Sequence, residues 1–264
     1  MFLSIPFPAL DPVALQIGPI AIRWYALAYM AGLLIGWRYM RAVAAWPPRV
    51  LEAKAVDDFL LWATFAIILG GRIGYVLFYQ PLHFLQNPED IVAVWKGGMS
   101  FHGGLLGMVL AIILYARRQR VPMLALGDRV SCVVPIGLFF GRIANFINGE
   151  LFGRPADVPW AIVFPGGGPA ARHPSQLYEA ALEGVVLFFI LWPASRSRAV
   201  RARYGLLTGL FLCGYAIFRS TGELFREPDA HIGFLAGGVT MGQILSLPLL
   251  LAGLFLIAWA RPKP

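Results

Sequence analysis

The sequence predicts an all-α integral membrane protein with about seven transmembrane helices, an N-terminus outside and a cytoplasmic C-terminus. Hydrophobic residues make up 58% of the 264 residues, and the mean hydropathy is +0.68. Only 14% of the residues are charged, against about 25% in an average soluble domain. Several apolar runs approach the roughly 20 residues with which a helix crosses a bilayer. Because these runs are continuous and do not alternate, helices are favoured over a β-barrel.

Seven apolar segments are predicted to span the membrane. In chain order they occupy residues 19–40, 56–79, 101–116, 122–140, 176–193, 204–225 and 239–260. The third is short and starts with "FHGGLLG", so it is expected to be tilted or to begin within the membrane. The opening "MFLSIPFPALDP" lacks a basic region and is interrupted by prolines, so no cleavable signal peptide is expected. The first span is then expected to act as an uncleaved signal.

The connections between the spans predict the orientation of the chain. Alternate connections are basic, and the positive-inside rule places them in the cytoplasm. Their basic residues are Arg41, Arg49 and Lys54, then Arg117, Arg118 and Arg120, then Arg196, Arg198, Arg201 and Arg203, and finally Arg261 and Lys263. The other connections, 80–100, 141–175 and 226–238, then form the outer-face loops. The net charge of +8 is thereby explained by topology, and no nucleic-acid partner is expected.

Charged and polar side chains at membrane depth mark the candidate functional site. A charge within hydrocarbon costs at least about 2.5–3.5 kcal/mol and usually has a function. The i, i+4, i+8 spacing of Tyr215, Arg219 and Glu223 places all three on one helical face. The other candidates are Arg23 and Tyr25 at the first span, Arg72 in the second, and Arg142 and Glu150 after the fourth.

Two interpretations of these charges are open. In the first, Arg219 and Glu223 form one structural ion pair. In the second, the arginines outnumber the nearby acids Glu150 and Glu223, and the surplus calls for an external anion. The forked guanidinium group suits phosphate in particular. The arginines counted in this surplus are Arg72, Arg142, Arg219 and Arg226.

His102 lies between glycines at the start of the third span, within "GGMSFHGGLLG". Glycines and helix N-terminal amides let a phosphate or a lipid headgroup approach the backbone. His102 is therefore either an anchor at the level of the headgroups or a catalytic group, and the residues alone leave both open.

The remaining motifs indicate structure rather than a cofactor. Ser175 in "RHPSQLYEA" is predicted to cap the fifth span. Cys132 and Cys213 lie in apolar runs without a CxxC pattern, so both are interpreted as packing residues. The histidines are scattered and show no metal-ligand spacing, so neither a metal nor a cofactor is expected.

The segment "GRIANFINGELFG", 141–153, resembles the signature of the bacterial prolipoprotein diacylglyceryl transferase family. That signature reads Gly-Arg-x-(Gly/Ala)-Asn-Phe-x-Asn-x-Glu-x-x-Gly. The segments "SFHGGLLG", "HPSQLYEA" and "FREPD" also occur in the order of the family. The resemblance covers essentially the whole chain, and the seven predicted spans agree with the topology of the family. Ala144 and Phe152 are the less usual choices where glycine and tryptophan are common.

The resemblance implies an enzyme that starts lipoprotein maturation. Members transfer the diacylglyceryl group of phosphatidylglycerol to the thiol of the lipobox cysteine, which follows the signal peptide of a prolipoprotein. A thioether forms and glycerol phosphate leaves. We expect residues 1–264 to form a single multi-pass catalytic domain in the bacterial plasma (inner) membrane, with its active site toward the outer, periplasmic face. The functional positions that the resemblance implies are Tyr25, His102, Arg142, Asn145, Glu150, Gly153, Tyr215, Arg219 and Glu223.

The expected reaction is a displacement by a cysteine thiolate at the glycerol carbon that bears the phosphate. A free thiol has a pKa of about 8.5, so His102 is the candidate base, with the positive field of the arginines as the alternative. Arg142 and Arg219 are expected to stabilise the leaving phosphate. Glu150 and Glu223 are expected to hold those arginines. The residues expected to bind phosphatidylglycerol are Arg142, Arg219, Tyr25, Asn145, Gly153 and Tyr215.

Two other functions fit parts of the sequence. A transporter of an anionic solute places its site near the midplane of the membrane and often contains inverted repeats. The concentration of polar groups toward one face disfavours it. A different headgroup transferase that uses the same lipid fits the chemistry of the residues equally well, and only the family signature argues against it.

The predicted orientation can be tested by labelling introduced cysteines. Arg118→Cys and Arg198→Cys should resist an impermeant thiol reagent in intact cells, because both connections are predicted to be cytoplasmic. Gly167→Cys should react, because it lies in a predicted outer loop. The unsubstituted protein controls for Cys132 and Cys213. The reverse labelling pattern would overturn the orientation.

Overall fold

The computed structural model describes residues 5–8, 10–18, 20–228 and 233–261. Within these residues the chain is mostly helical, as predicted. The helices are α1 (Trp24–Ala45), α2 (Ala53–Phe78), α3 (Pro81–Gln86), α4 (Phe101–Gln119), α5 (Met123–Ile147), α6 (Ser175–Arg196), α7 (Arg198–Arg201), α8 (Leu206–Glu223) and α9 (Met241–Trp259). Short 3-10 turns cover Pro88–Val92, Val94–Lys96 and Ala236–Gly238.

Four short strands accompany the helices, which the all-α prediction did not include. They are β1 (Ile5–Pro6), β2 (Val13–Ile17), β3 (Ile20–Arg23) and β4 (Ile162–Val163). Strands β2 and β3 form an antiparallel pair directly before α1, and β1 pairs in parallel with β4 in the segment between α5 and α6. These strands satisfy backbone groups in segments that cannot continue the helices.

Five of the helices are long and apolar enough to cross a membrane, namely α2, α4, α5, α6 and α9. Helices α1 and α8 have 22 and 18 residues, which at about 1.5 Å per residue is close to the thickness of the hydrocarbon core. Their composition is more polar, and α8 carries Arg219 and Glu223 in its C-terminal part. The described residues therefore form a mostly helical, multi-pass membrane protein, and the count of seven spans stays a prediction.

Two helix boundaries differ from the predicted spans for physical reasons. The first span was expected at 19–40, but α1 begins at Trp24 because residues 20–23 pair with β2. The fourth was expected to end at residue 140, but α5 continues to Ile147. Hydropathy shows where the apolar run ends, but α5 continues past that point. The first part of the polar signature, residues 141–147, is therefore helical.

The chain divides into two compact units. The first comprises residues 1–43 and 128–264, and the second comprises residues 44–127. The first contains most of α1 and α5 and all of α6 to α9, whereas the second contains α2, α3 and α4. Residues 229–232 of the predicted outer loop 226–238, including the end of "FREPD", lie outside the described residues.

Helix α6 contains a π-helical stretch at Ala180–Val186. Such stretches are rare and are often found at functional sites. Gly184 lies within the stretch, where an added Cβ would approach the Cβ of Phe139 on α5 to 2.7 Å. Only glycine lets α6 pack this closely on α5. The predicted cap at Ser175 is wrong, because Ser175 is the first helical residue and its hydroxyl donates to the Leu151 carbonyl at 3.0 Å.

Helix α8 is capped at its N-terminus by a side chain from α5. The Asp128 carboxylate accepts from the amide of Gly205 and from the amide and hydroxyl of Thr208, each at 2.8 Å. A negative charge at this position also matches the positive end of the helix dipole. The contact fixes the start of α8, whose other end carries Arg219 and Glu223.

In the second unit, α2 and α4 pack through glycines. An added Cβ at Gly103 would overlap the Gly70 carbonyl oxygen, and one at Gly74 would lie 2.7 Å from the Gly103 Cα. Small residues let membrane helices approach this closely. Gly103, next to His102, therefore serves helix packing, whereas an added Cβ at Gly97 would meet no atom within 4 Å. Ser100 caps α4 by accepting from the Gly103 amide at 3.2 Å.

Arg72 on α2 has a structural role within the second unit. Its guanidinium donates to the carbonyls of Asp90, Ile91, Gly97 and Gly98 at 2.5–2.9 Å. These carbonyls belong to the connection between α3 and α4, so Arg72 holds that connection together. Arg72 was counted in the predicted surplus of arginines. Because its guanidinium binds carbonyl groups of the chain, that surplus is one arginine smaller.

Candidate active site

A buried cluster of arginines and glutamates lies in the first unit, where the ends of three helices meet. Arg142 comes from the C-terminal part of α5, and Glu179 and Glu183 come from the N-terminal half of α6. Arg219 and Glu223 come from the end of α8, and Arg226 follows three residues later. We refer to these six residues as the arginine–glutamate cluster.

Arg142 is held by both glutamates of α6. Its Nε lies 3.0 Å from Glu179 Oε2, and its Nη2 lies 3.1 Å from Glu183 Oε2. The contact with Glu183 has hydrogen-bond geometry, whereas the contact with Glu179 Oε2 is an ion contact without it. The two acids are four residues apart on one side of α6, and together they fix the guanidinium plane.

Glu179 is the centre of the cluster. Its Oε1 accepts from Arg219 Nη1 at 2.6 Å and lies 3.8 Å from Arg226 Nη1. Arg219 also forms an ion pair with Glu223 one turn further along α8. The predicted pair of Arg219 and Glu223 thus exists, but it is one part of a larger network.

Two glycines give the acids their space. An added Cβ at Gly222 would lie 3.2 Å from Glu179 Cγ, and one at Gly242 would lie 2.6 Å from Glu223 Cδ. Larger side chains at these positions would displace the carboxylates from the arginines.

The charges of the cluster are arranged in two layers. The side chains of Arg142, Arg219 and Arg226 are 15%, 13% and 11% exposed, whereas those of Glu179 and Glu183 are 0% exposed. The three arginines are therefore more accessible than the glutamates, of which Glu223 is 5% exposed. The expected surplus of arginine is wrong here, because three arginines face three glutamates. What distinguishes the arginines from the acids of α6 is their partial exposure.

Sequence reasoning missed Glu179 and Glu183 as members of the site. Glu179 was noted only as part of a helix entry, and Glu183 was not selected. The signal was present, because "YEAALEG" places two acids four residues apart within an otherwise apolar helix. A buried acid in such a helix needs a cation from another helix, which a search for arginine partners can find.

A second polar group, next to the cluster, surrounds Asn145 on α5. Asn145 Nδ2 donates to Glu150 Oε1 at 2.7 Å and lies 3.5 Å from the hydroxyl of Tyr25 in the first turn of α1. The Glu150 carbonyl accepts from Gln176 Nε2 at 2.6 Å. Glu150 therefore binds an amide, and among the described residues its contacts do not include the arginines it was expected to hold.

Gly153 lies where three backbone segments cross. Its amide donates to the His173 carbonyl at 2.9 Å, and it forms a β-bridge with Arg226. An added Cβ would lie 2.5 Å from the Phe225 carbonyl oxygen and 2.6 Å from that of His173. The signature glycine is thus required by backbone packing beside the cluster.

Tyr215 and His102 occupy different units. Tyr215 lies one turn before Arg219 on α8. His102 lies in the first turn of α4 in the second unit, where it is exposed and contacts the ring of Phe101. The first unit therefore brings together most of the predicted residues, and the part of His102 stays a prediction.

The segment between α5 and α6 is fixed to α6 by aromatic side chains. Trp160 Nε1 donates to the Tyr178 hydroxyl at 2.6 Å, and that hydroxyl lies 3.1 Å from His173 Nδ1. Burial lowers the pKa of His173, so the ring is neutral at neutral pH and can accept from Tyr178.

Comparison of the sequence with known proteins shows the family to which the chain belongs. Residues 12–259 match the family described as prolipoprotein diacylglyceryl transferase. The chain is 60% identical to the phosphatidylglycerol–prolipoprotein diacylglyceryl transferase of Paramagnetospirillum magneticum over 98% of this chain and 97% of that protein. It is also 60% identical to the protein of that name from Rhodospirillum rubrum, over 99% and 96% of the two chains. The protein of the same name from Rhizobium meliloti is 58% identical, over 97% of this chain and 94% of that protein.

Glu179→Gln should destabilise the fold strongly. Removing one partner from a buried ion network leaves arginines uncompensated and costs about 3–5 kcal/mol. The measurement is the free energy of unfolding of the purified protein in detergent. Glu227→Gln is the matched control, because its ion pair with Arg172 involves a 45% exposed carboxylate and should contribute about 1 kcal/mol or less. Equal losses in the two variants would contradict the central role of Glu179.

Proposed function

We propose that this chain, which belongs to the prolipoprotein diacylglyceryl transferase family, transfers the diacylglyceryl group of phosphatidylglycerol to a prolipoprotein. The acceptor is the lipobox cysteine thiol, and the reaction is the first step of lipoprotein maturation. The observation that carries the proposal is the 60% identity to transferases of that name over nearly the whole chain. The partly exposed arginines of the cluster supply the chemistry that an anionic lipid requires.

The reaction is a displacement at one carbon of glycerol. The thiolate sulfur attacks the glycerol carbon of the diacylglyceryl group that bears the phosphate, and a C–S bond forms. The C–O bond to the phosphate breaks, and glycerol phosphate leaves with the electron pair. The thiol proton passes to a base, for which His102 is the candidate.

Arg142 and Arg219 are proposed to bind the phosphate and to stabilise it as negative charge builds on the leaving oxygen. Preorganised donors aimed at developing charge are usually the largest single contribution to catalysis. Glu179 and Glu223 both pair with Arg219, and Glu179 and Glu183 both pair with Arg142. The arginines thus need no reorganisation when the phosphate arrives.

The residues around Asn145 are proposed to bind the rest of the lipid headgroup. Tyr25 and Asn145 offer a hydroxyl and an amide beside the arginines, and Glu150 orients Asn145. Tyr215 is proposed to donate a further hydrogen bond from α8. Gly153 acts through the backbone crossing that fixes the segment next to Arg226.

We place the active site toward the outer, periplasmic face of the bacterial inner membrane, with the N-terminus outside and the C-terminus in the cytoplasm. The basic connections support this orientation, because positive charge favours the cytoplasmic side. The cluster lies near the C-terminal ends of α5 and α8 and the N-terminal end of α6. These are the ends that the orientation places outside, where the substrate protein emerges.

The proposal predicts a specific lipid donor. Purified protein incubated with a lipobox peptide should form modified peptide with phosphatidylglycerol and hardly any with phosphatidylethanolamine, as measured by mass spectrometry. A peptide with serine in place of the cysteine should give no product, because a hydroxyl is far less acidic than a thiol. Equal yields from both lipids would overturn the donor. Absence of product from any lipid would favour a transporter or another headgroup transferase.

Variants at Arg142 and His102 separate charge stabilisation from proton transfer. Arg142→Lys keeps a positive charge but loses the fork, which costs about 1.5–3 kcal/mol, or roughly ten- to a hundredfold in rate. Higher pH should not restore the rate, since lysine stays protonated to about pH 10. His102→Gln should recover partly as the pH rises toward the thiol pKa of about 8.5, because solvent then supplies thiolate.

The measurement is the rate against pH for the wild type and both variants, with one lipobox peptide. A profile of His102→Gln parallel to that of the wild type between pH about 6 and 9 would contradict the role of base. Thiol activation would then be assigned to the field of Arg142 and Arg219.

A further inference from the structure

We propose that Arg154 is a positioning residue of the transfer reaction, an inference that rests on the function proposed above. Arg154 lies in the segment between α5 and α6, directly after the backbone crossing at Gly153. Its contacts are to Glu223, the last residue of α8, and to Phe225 and Arg226 in the segment that follows. It acts on the cluster through the backbone and not by touching the substrate.

Residue 154 donates to three carbonyl groups, that of Glu223 at the C-terminus of α8 and those of Phe225 and Arg226 just after it. The Arg154 side chain donates from Nη2 to the Glu223 carbonyl and from Nε to the Arg226 carbonyl, both at 2.9 Å. Its backbone amide donates to the Phe225 carbonyl at 2.8 Å. The last carbonyls of a helix have no partner within the helix, so they need donors from elsewhere. A cation at this end also matches the negative end of the helix dipole.

Only arginine offers the geometry that this contact requires. The two acceptor carbonyls are three residues apart, and a planar fork can reach both at once, whereas a lysine ammonium is a single point of charge. The face of the guanidinium is used as well, because its Cζ lies 4.8 Å from the ring centroid of Phe234. Arg154 thereby joins the segment before α6, the end of α8 and the segment before α9.

The contact determines where two members of the cluster are held. The Glu223 side chain pairs with Arg219, and Arg226 lies beside Glu179. If the end of α8 unwinds, Glu223 releases Arg219 and Arg226 leaves the cluster. Negative charge builds on the leaving phosphate in the transition state. Misplacing the arginines therefore removes more stabilisation from the transition state than from the ground state, so kcat should fall more than KM rises.

The experiment compares Arg154→Ala with Arg172→Ala. Arg172 is the matched control, since it also makes three hydrogen bonds from the same segment, to the carbonyls of Gly153 and Gly167 and to the Glu227 carboxylate. Arg154→Ala should lower kcat by about ten- to a hundredfold, with a smaller change in KM for phosphatidylglycerol. Added methylguanidinium should restore part of kcat, and it should not affect Arg172→Ala.

Hydrogen exchange of the backbone amides at residues 224–227 gives a readout that does not depend on the reaction. These amides should exchange faster in Arg154→Ala than in Arg172→Ala. If Arg154→Ala does not fold, Arg154→Lys provides the test, and its kcat should fall because only one carbonyl is reached. Equal loss of kcat in the two alanine variants, without rescue, would overturn the proposal. If the wild-type protein shows no transfer activity, the proposed function is refuted. The hydrogen-exchange result then still tests whether Arg154 holds residues after α8.

Discussion

The complete burial of the Glu179 carboxylate is the constraint on which the rest of the site depends. Three guanidinium groups lie within 4 Å of it, one from α5, one from α8 and one from the segment after α8. An ionised carboxylate removed from water costs several kcal/mol unless cations and hydrogen bonds replace its hydration. The helices can bury this acid only where they bring arginines to it. The side chains of the same arginines are 11–15% exposed, and this exposed part of the cluster is where we propose that the phosphate binds.

Close packing brings these groups within reach of one another. Gly184 lets the π-helical part of α6 lie against α5, while Gly222 and Gly242 leave room for the glutamates. Helix α8 is also fixed at both ends by side chains from elsewhere in the chain. Asp128 accepts from amides at its N-terminus, and Arg154 donates to the carbonyl of its last residue, Glu223, and to that of Arg226 just after it. Both charges have the sign that the helix dipole favours, so α8 holds its polar end in a defined place.

The sequence determined the class of protein and selected several residues of the arginine–glutamate cluster, because apolar runs and the charges within them are visible in one dimension. Long apolar runs predict helices in a membrane, and each long helix of the structure overlaps one predicted span. Arginines and glutamates within or beside such runs are conspicuous, so Arg142, Arg219 and Glu223 could be selected from depth alone. The family signature added Asn145 and Gly153, whose roles composition does not reveal. The helix ends were less accurate, because α5 continues beyond its apolar run and a strand pair precedes α1.

Only the tertiary structure decided which charges face each other. Glu179 and Glu183 lie on a helix of their own, and their pairing with Arg142 depends on the side of α6 that packs against α5. It also decided what the glycines do, since the same residue packs α4 on α2 at Gly103, crosses backbones at Gly153 and makes room for an acid at Gly222. A sequence records the identity of each residue and its neighbours along the chain. Contacts between distant segments arise only when the helices pack, and at this site those contacts balance the charge.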